Sequence, residues 1–380
     1  MDIDKMAEEC MKAIKDAVAN LKQLNIMVIG KSGVGKSTLI NNVFREKMAD
    51  TGVGRPVTDE IRKISKPDFP LNIYDTPGFE LSREQQKSVK EGIIETIEKG
   101  FQSKNLEDAI HCIWYCVNVG GNRTFDSSEL EWIRELTEFN KKTQVPIIVV
   151  LTQAIPKKKA EEMKDSIEKE NLDIVKVVPV LAEDMDFDEE YIARAYGIDT
   201  LINVMAQVLP TELQQVFMHV QKGNIELKRK MSHACVATAV ATAFGEGFVP
   251  VPFADAAMLV PTQVGMIAGI TTIFGYDISK TVLTAFVSST IGTAGATVLG
   301  KTIVSNILKL IPGVGTVAGG AISGTTAGLI TTALGEAYIA IMTMMYKGEL
   351  KESDLNSEKG KTIMTDLFKM ELKKNRNNNN

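Results

Sequence analysis

The eight residues GKSGVGKS, Gly30 to Ser37, constrain this chain more than any other stretch. They fit G-x-x-x-x-G-K-[ST] in full, directly after the apolar run NIMVIG and ahead of a helical pattern. With no Cβ at Gly30, Gly33 and Gly35, the backbone can turn its amides inward around phosphate oxygens. The helix that follows adds the positive end of its dipole. In such a cradle Gly30, Lys31, Ser32, Gly33, Val34 and Gly35 supply backbone, and Lys36 reaches the β and γ phosphates. The Ser37 hydroxyl coordinates Mg²⁺, with Thr38 beside it in the first helical turn.

A phosphate loop of this kind needs a strand before it and a helix after it, and the pattern repeats downstream. LNIYD, IHCIWYCV, PIIVVL and IVKVVPV are short apolar runs bounded by turn or polar residues. Helical stretches lie between them at residues 36–45, 82–100, 127–139 and 156–170. The order predicts an α/β fold with a mostly parallel sheet covered on both faces.

A second motif follows one of these strands. In NIYDTPGFE, Asp75 ends the strand, where it can hold Mg²⁺ through water, and Gly78 can offer its amide to the γ phosphate. Between the two motifs lies TGVGRPVTDEI, where Thr58, or else Thr51, completes the metal shell in the triphosphate state.

On Gly30–Ser37, Thr58 and Asp75–Gly78, residues 25–209 resemble the Era-like, translation-factor-related branch of P-loop GTPases. The resemblance implies a six-stranded sheet with one antiparallel edge strand and switch loops around Thr58 and Gly78. It implies GTP hydrolysis to GDP and phosphate with Mg²⁺, using Lys36, Thr58 and Gly78. Where Ras-like proteins carry a water-orienting glutamine, this chain has Phe79, so turnover is expected to be slow. Arg55 lies three residues before Thr58, a spacing at which heterotrimeric G-protein α subunits place an arginine that reaches the γ phosphate. Arg55 either does the same, in cis or across a nucleotide-dependent homodimer, or is a solvated loop residue.

The base-recognition motif departs from the family. These GTPases usually carry N-K-x-D or T-K-x-D after the fifth strand, and the aspartate accepts two hydrogen bonds from guanine. Here the strand delivers Thr152, Gln153, Ala154 and Ile155. Thr152 matches; Ile155 cannot accept a hydrogen bond. Gln153 both donates and accepts, so it can compensate in part. Ala182, in VPVLAED, matches the central alanine of the last motif, and its amide can read guanine O6. Weakened guanine selectivity is expected, and an ATPase stays open as an alternative.

The chain divides by composition. Met6, Cys10, Ile14, Val18 and Leu21 recur at helical spacing, so residues 1–24 hold an amphipathic helix, expected to pack on a later domain. Residues 25–209 are the G domain and 210–233 read as a linking helix, with Gly223 as a break point. From 234 to 346 the only charges are Glu246, Asp255, Asp277, Lys280, Lys301, Lys309 and Glu336, and the composition predicts an all-α, Gly/Ala-rich second domain. Residues 347–380 are a charged tail whose NNNN end is expected to be disordered.

On Pro250, Pro252, Phe253, Asp255, Gln263, Met266, Ile267, Gly275, Pro312, Gly313, Gly315 and Gly335, the second domain resembles an uncharacterised helical domain. That domain is fused to Era-like GTPases and occurs in YcjF-type membrane proteins. The overall plan is similar to the immunity-related GTPases. Its charge-free stretches 256–276, 281–300 and 310–335 are long enough to span a bilayer. They are also rich in Thr, Ser and Gly and carry Pro261 and Pro312, so either a compact, peripherally bound bundle or a spanning domain fits.

Net charge is −5, without the basic surplus of a nucleic-acid-binding surface, so no DNA partner is expected. Cys10, Cys112, Cys116 and Cys235 are scattered, as free thiols in a reducing compartment are. The acidic N-terminus reads as neither secretory signal nor transit peptide. A cytoplasmic, membrane-associated place is expected, and a low-turnover nucleotide-binding scaffold or membrane anchor is the alternative to an active GTPase.

Overall fold

A computed structural model describes residues 3–49, 61–77, 83–120, 127–187, 191–244, 256–290 and 324–378. Two compact units divide the chain: residues 22–224, and residues 1–21 together with 225–380.

The first unit is built on β1 (Leu24–Ile29), β2 (Arg62–Lys66), β3 (Phe69–Asp75), β4 (Cys112–Asn118), β5 (Ile147–Thr152) and β6 (Lys176–Pro179). They form one sheet in the order β2-β3-β1-β4-β5-β6. Every residue of β1 and of β5 is buried, as strands covered on both faces must be. Pairing is parallel throughout except at β2, which runs antiparallel to β3. β2 is an edge strand and carries Arg62, Lys63 and Lys66, charges that discourage pairing with another chain. The helices α2 (Lys36–Val43), α3 (Arg83–Gln102), α4 (Ser127–Asn140) and α5 (Lys157–Glu168) alternate with the strands.

One buried polar cluster fixes the bottom of the sheet. Asn25 donates to the carbonyls of Glu107 and Ala109, each at 2.7 Å, and accepts from Asn72 at 2.8 Å. The Asn25 amide donates to His111 Nδ1 at 2.9 Å, so the ring proton sits on Nε2, 2.6 Å from Leu106 O. Burial pushes the His111 pKa down and keeps the ring neutral. Among the described residues no metal-binding cluster forms, and Cys112 and Cys116 are buried free thiols.

After β6 comes an element with no counterpart in the sequence expectations. β7 (Met185–Phe187) and β8 (Tyr191–Ala193) pair as a two-stranded ribbon, exposed except at Ala193. It leads into α6 (Ile198–Val208) and α7 (Thr211–Val220).

The linking segment 210–233, with Gly223 as its expected break point, is two helices in two different units. α7 ends at Val220, and α8 (Ile225–Phe244) begins the second unit and runs on beyond residue 233. The Gln221 side chain stops the chain by accepting from Asn224 N at 3.0 Å and donating to its carbonyl at 3.2 Å. At Gly223 a Cβ would lie 2.4 Å from Ile198 Cγ2, so only glycine fits against α6.

The second unit contains α1 (Ile3–Ala19), α8, α9 (Ala256–Phe274), α10 (Lys280–Thr290), α11 (Gly324–Tyr346), α12 (Glu352–Leu355) and α13 (Glu358–Asn378). Met6, Ala7, Cys10 and Ile14 of α1 are buried in its core. The charged tail forms α13 through Asn378, two residues into the NNNN end expected to be disordered, and Met364, Phe368 and Leu372 recur every fourth residue and are buried in the same core. Pro261 does not interrupt its segment but lies inside α9. Gly335 of α11 lets the helices close up: a Cβ there would meet Val236 Cγ2 at 2.5 Å.

Polar ties specify this packing. Lys228 is fully buried, and its Nζ donates to Ile273 O at 2.7 Å and Phe274 O at 3.1 Å, at the negative end of α9. Thr271 and Tyr338 share a hydrogen bond of 2.7 Å between α9 and α11. One described stretch, Gly328–Tyr346, is long and apolar enough to cross a membrane, and more than half of it is buried within the unit.

Candidate functional site: a phosphate loop with an altered base motif

β1 runs straight into the loop that the sequence marks. Gly30 passes so close to β4 that a Cβ would lie 2.5 Å from Cys116 O. Gly33 and Gly35 take φ values of 72° and 95°, the left-handed region that glycine enters freely. Gly35 caps α2, whose first turn carries Lys36, Ser37 and Thr38. Lys36 curls back over the loop, its Nζ 2.8 Å from Gly30 O and 3.1 Å from Lys31 O. The loop therefore presents an ammonium and a helix N-terminus to one point, an arrangement suited to a polyphosphate.

Asp75 ends β3 next to β1, where Val28 pairs with it. Its Oδ1 is buried and has no hydrogen-bond partner among the described residues, and neither has Thr76 Oγ1. Burial raises the Asp75 pKa, against the lowering effect of Lys36 and Arg62. A buried carboxylate oxygen with an unused lone pair fits a hydrated Mg²⁺ in the outer shell, with Ser37 as the inner ligand. Arg55, Thr58, Gly78 and Phe79 lie outside the described residues.

The residues after β5 hold the phosphate loop from the other side. Thr152 Oγ1 lies 2.5 Å from Val34 O and 3.1 Å from Val117 O. Gln153, at φ 48°, turns its amide toward the loop rather than leaving it free for a base. Its Nε2 donates to Gly33 O at 3.2 Å, and its Oε1 accepts from Asn118 Nδ2 at 3.3 Å. Asn118 Oδ1 in turn accepts from Gly120 N at 2.7 Å. Asn118 is not marked by the sequence because it ends the preceding strand, 35 residues before Gln153; the parallel pairing of Asn118 with Thr152 brings them together. Glu129 stands beside the loop, 3.3 Å from Lys31 Nζ.

Ala182 leaves β6 just past a bridge in which Leu181 and Tyr196 exchange backbone bonds of 3.0 and 2.9 Å. The Tyr196 hydroxyl donates to Ala154 O at 2.7 Å, tying the ends of β5 and β6 together. Lys157 lies over the Tyr196 ring, 4.4 Å from its centroid.

With that geometry in place, comparison with known proteins gives two family matches. Residues 25–153 match the family described as 50S ribosome-binding GTPase, and residues 207–370 match the domain of unknown function DUF697. Cell division control protein 10 of Candida albicans is 33% identical over 150 residues, which cover 33% of this chain and 41% of that protein. Neuronal-specific septin-3 of Danio rerio is 26% identical over 191 residues, 44% of this chain and 50% of that one. The chloroplastic ERA-like GTPase of Oryza sativa subsp. japonica is 30% identical over 138 residues, 36% and 30% respectively. The chain thus spans half or less of the length of these relatives. Among solved structures, Aquifex aeolicus Era bound to GDP·AlF4⁻ aligns at TM-score 0.36 and 19% identity, over 58% of this chain and 67% of that one. Sheet order, phosphate loop and the match over residues 25–153 give the first unit the P-loop GTPase fold, and residues 207–370 are similar to DUF697.

Proposed function

We propose that the protein binds GTP with Mg²⁺ and hydrolyses it slowly to GDP and phosphate, and that the nucleotide state acts on the helical unit. The observation that carries this reading is the phosphate loop with Lys36 folded over it, near Asp75, whose buried Oδ1 lacks a partner among the described residues. Ser37, Asp75 and Thr58 would hold the metal, which when bound neutralises charge on the phosphates. Lys36 and the first amides of α2 stabilise the negative charge that builds up as water attacks the γ phosphorus and the β–γ bond breaks. A helix ahead of the G domain that completes the helical unit behind it supports a plan similar to that of immunity-related GTPases. Nucleotide extracted from purified protein should be GDP or GTP; ADP or ATP would support the ATPase reading that Ile155 keeps alive.

Phe79 leaves the attacking water without the usual glutamine, so Arg55 is the proposed source of the missing charge. Arginines in that role contribute on the order of 10³–10⁵ in rate. Single-turnover hydrolysis at saturating GTP should fall at least tenfold in Arg55→Ala, with binding unchanged. A fall that grows with protein concentration would assign Arg55 to a homodimer partner. A change below threefold makes Arg55 an ordinary loop residue and favours the low-turnover scaffold.

Membrane association, in this reading, is peripheral. The support is the burial of Gly328–Tyr346 among the other helices. Carbonate washing of membrane fractions should release the protein, whereas retention until detergent is added would establish a spanning segment.

A further inference from the structure

Guanine differs from hypoxanthine, xanthine and adenine at its Watson–Crick edge, which offers an O6 acceptor and two donors, N1–H and the 2-amino group. The chain has Ile155 where related GTPases place the carboxylate that accepts from both donors. Gln153 cannot replace it in this arrangement, because its amide nitrogen is engaged by Gly33 O and its amide oxygen by Asn118. We propose that Glu183, on the loop leaving β6, is the acceptor for guanine N1–H and the 2-amino group.

β5 and β6 run parallel with Leu151 level with Pro179. The bonds Val180 N to Leu151 O, at 2.7 Å, and Ala154 N to Val180 O, at 3.2 Å, carry the pairing past the strand ends. Left-handed Gln153 introduces a slip of one residue there. Continued past these bonds, that register sets Ile155 level with Ala182, the residue before Glu183, on the edge where the base-reading aspartate is missing. The stem below is fixed by the Leu181–Tyr196 bridge and by the Tyr196 bond to Ala154 O.

The neighbouring carboxylates are already committed. Asp184 binds Arg194 at 2.6 Å and Ala195 N at 2.7 Å, which hold its carboxyl below the usual range. On α5, Glu161 pairs with Lys164 and Glu162 with Lys158. Glu183 is exposed and makes no hydrogen bond or ion pair among the described residues. Two adjacent residues thus cover the whole edge, the Ala182 amide for O6 and the Glu183 carboxylate for the two donors. Guanine selectivity is then strong rather than weak, and Glu183 is the compensation for Ile155.

The inference rests on the GTP-binding reading, and the test separates the two. Affinities for GDP, IDP, XDP and ADP are measured with Mg²⁺ by calorimetry for the full chain, for Glu183→Gln, and for Asp186→Asn as an exposed control. Wild type should bind IDP and XDP at least about tenfold more weakly than GDP, the scale of a lost charge-assisted pair. In Glu183→Gln the amide donates where the carboxylate accepted, so GDP binding should weaken about 10- to 100-fold and XDP binding should tighten. Asp186→Asn should match wild type. If wild type prefers GDP and keeps that preference within threefold in Glu183→Gln, the assignment of Glu183 is overturned and the GTP-binding reading stands. If wild type binds ADP as tightly as GDP, both fall.

Discussion

Lys36→Ala is expected to weaken GDP·Mg²⁺ binding by at least about a hundredfold. The side chain donates to Gly30 O and Lys31 O, so its ammonium is held at the crest of the loop where the phosphates must sit. A charge-assisted hydrogen bond to phosphate is worth about 1.5–3 kcal/mol, and in the proposed complex Lys36 would reach two phosphoryl groups at once. The alternative phosphate ligands are backbone amides, which carry only partial charge. Folding should be little affected, because Lys36 is half-exposed and its two carbonyl partners can turn to water. Calorimetry with GDP, alongside thermal melts of the apo protein, measures both quantities. Affinity within threefold of wild type, at an unchanged melting temperature, would remove the phosphate loop from the function.

Cys10→Asp should open the helical unit and leave the G domain folded. Cys10 is fully buried, and burial together with Glu9 pushes its thiol pKa up to about 12. A carboxylate in that place loses its water without gaining a partner, a loss of about 3–5 kcal/mol. That is a large share of the roughly 5–15 kcal/mol that holds a typical domain together. Hydrogen exchange read by mass spectrometry should show lost protection in α9 and α11, with β1, β4 and β5 still protected. GDP binding should persist. Equal loss in both units would show that they fold as one cooperative block, and unchanged protection in α9 and α11 would mean that α1 is not part of their core.

The sheet was legible because its central strands are buried on both faces, and β1 and β5 therefore read as unbroken apolar runs. The ribbon β7–β8 was not: its strands are three residues long, face water on both sides, and interleave Asp186 with Met185 and Phe187. Neither periodicity nor length marks such an element. The end of α7 was visible only as a glycine, since the packing of Ile198 against Gly223 is a long-range fact. At the site, residue type revealed what Gln153 is able to do, a donor and an acceptor on one amide. It could not reveal that both would be consumed by Gly33 and Asn118, because that depends on which strands lie side by side.

The split composition of the helical unit has a consequence during synthesis. α1 ends at Ala19, and α9, among which its buried face packs, begins at Ala256, 237 positions later. At about 5–20 residues per second, α1 waits on the order of 10–50 s with the apolar stripe of Met6, Cys10 and Ile14 uncovered. Meanwhile the first unit, residues 22–224, whose strands all fall between them, already has its complete sequence. The order of manufacture is then nucleotide unit first, helical unit last, with the first helix made among the last to be placed. Lys5, Glu8, Glu9, Lys12, Lys15 and Asp16 on the other faces of α1 give a waiting helix the charge it needs to stay in water.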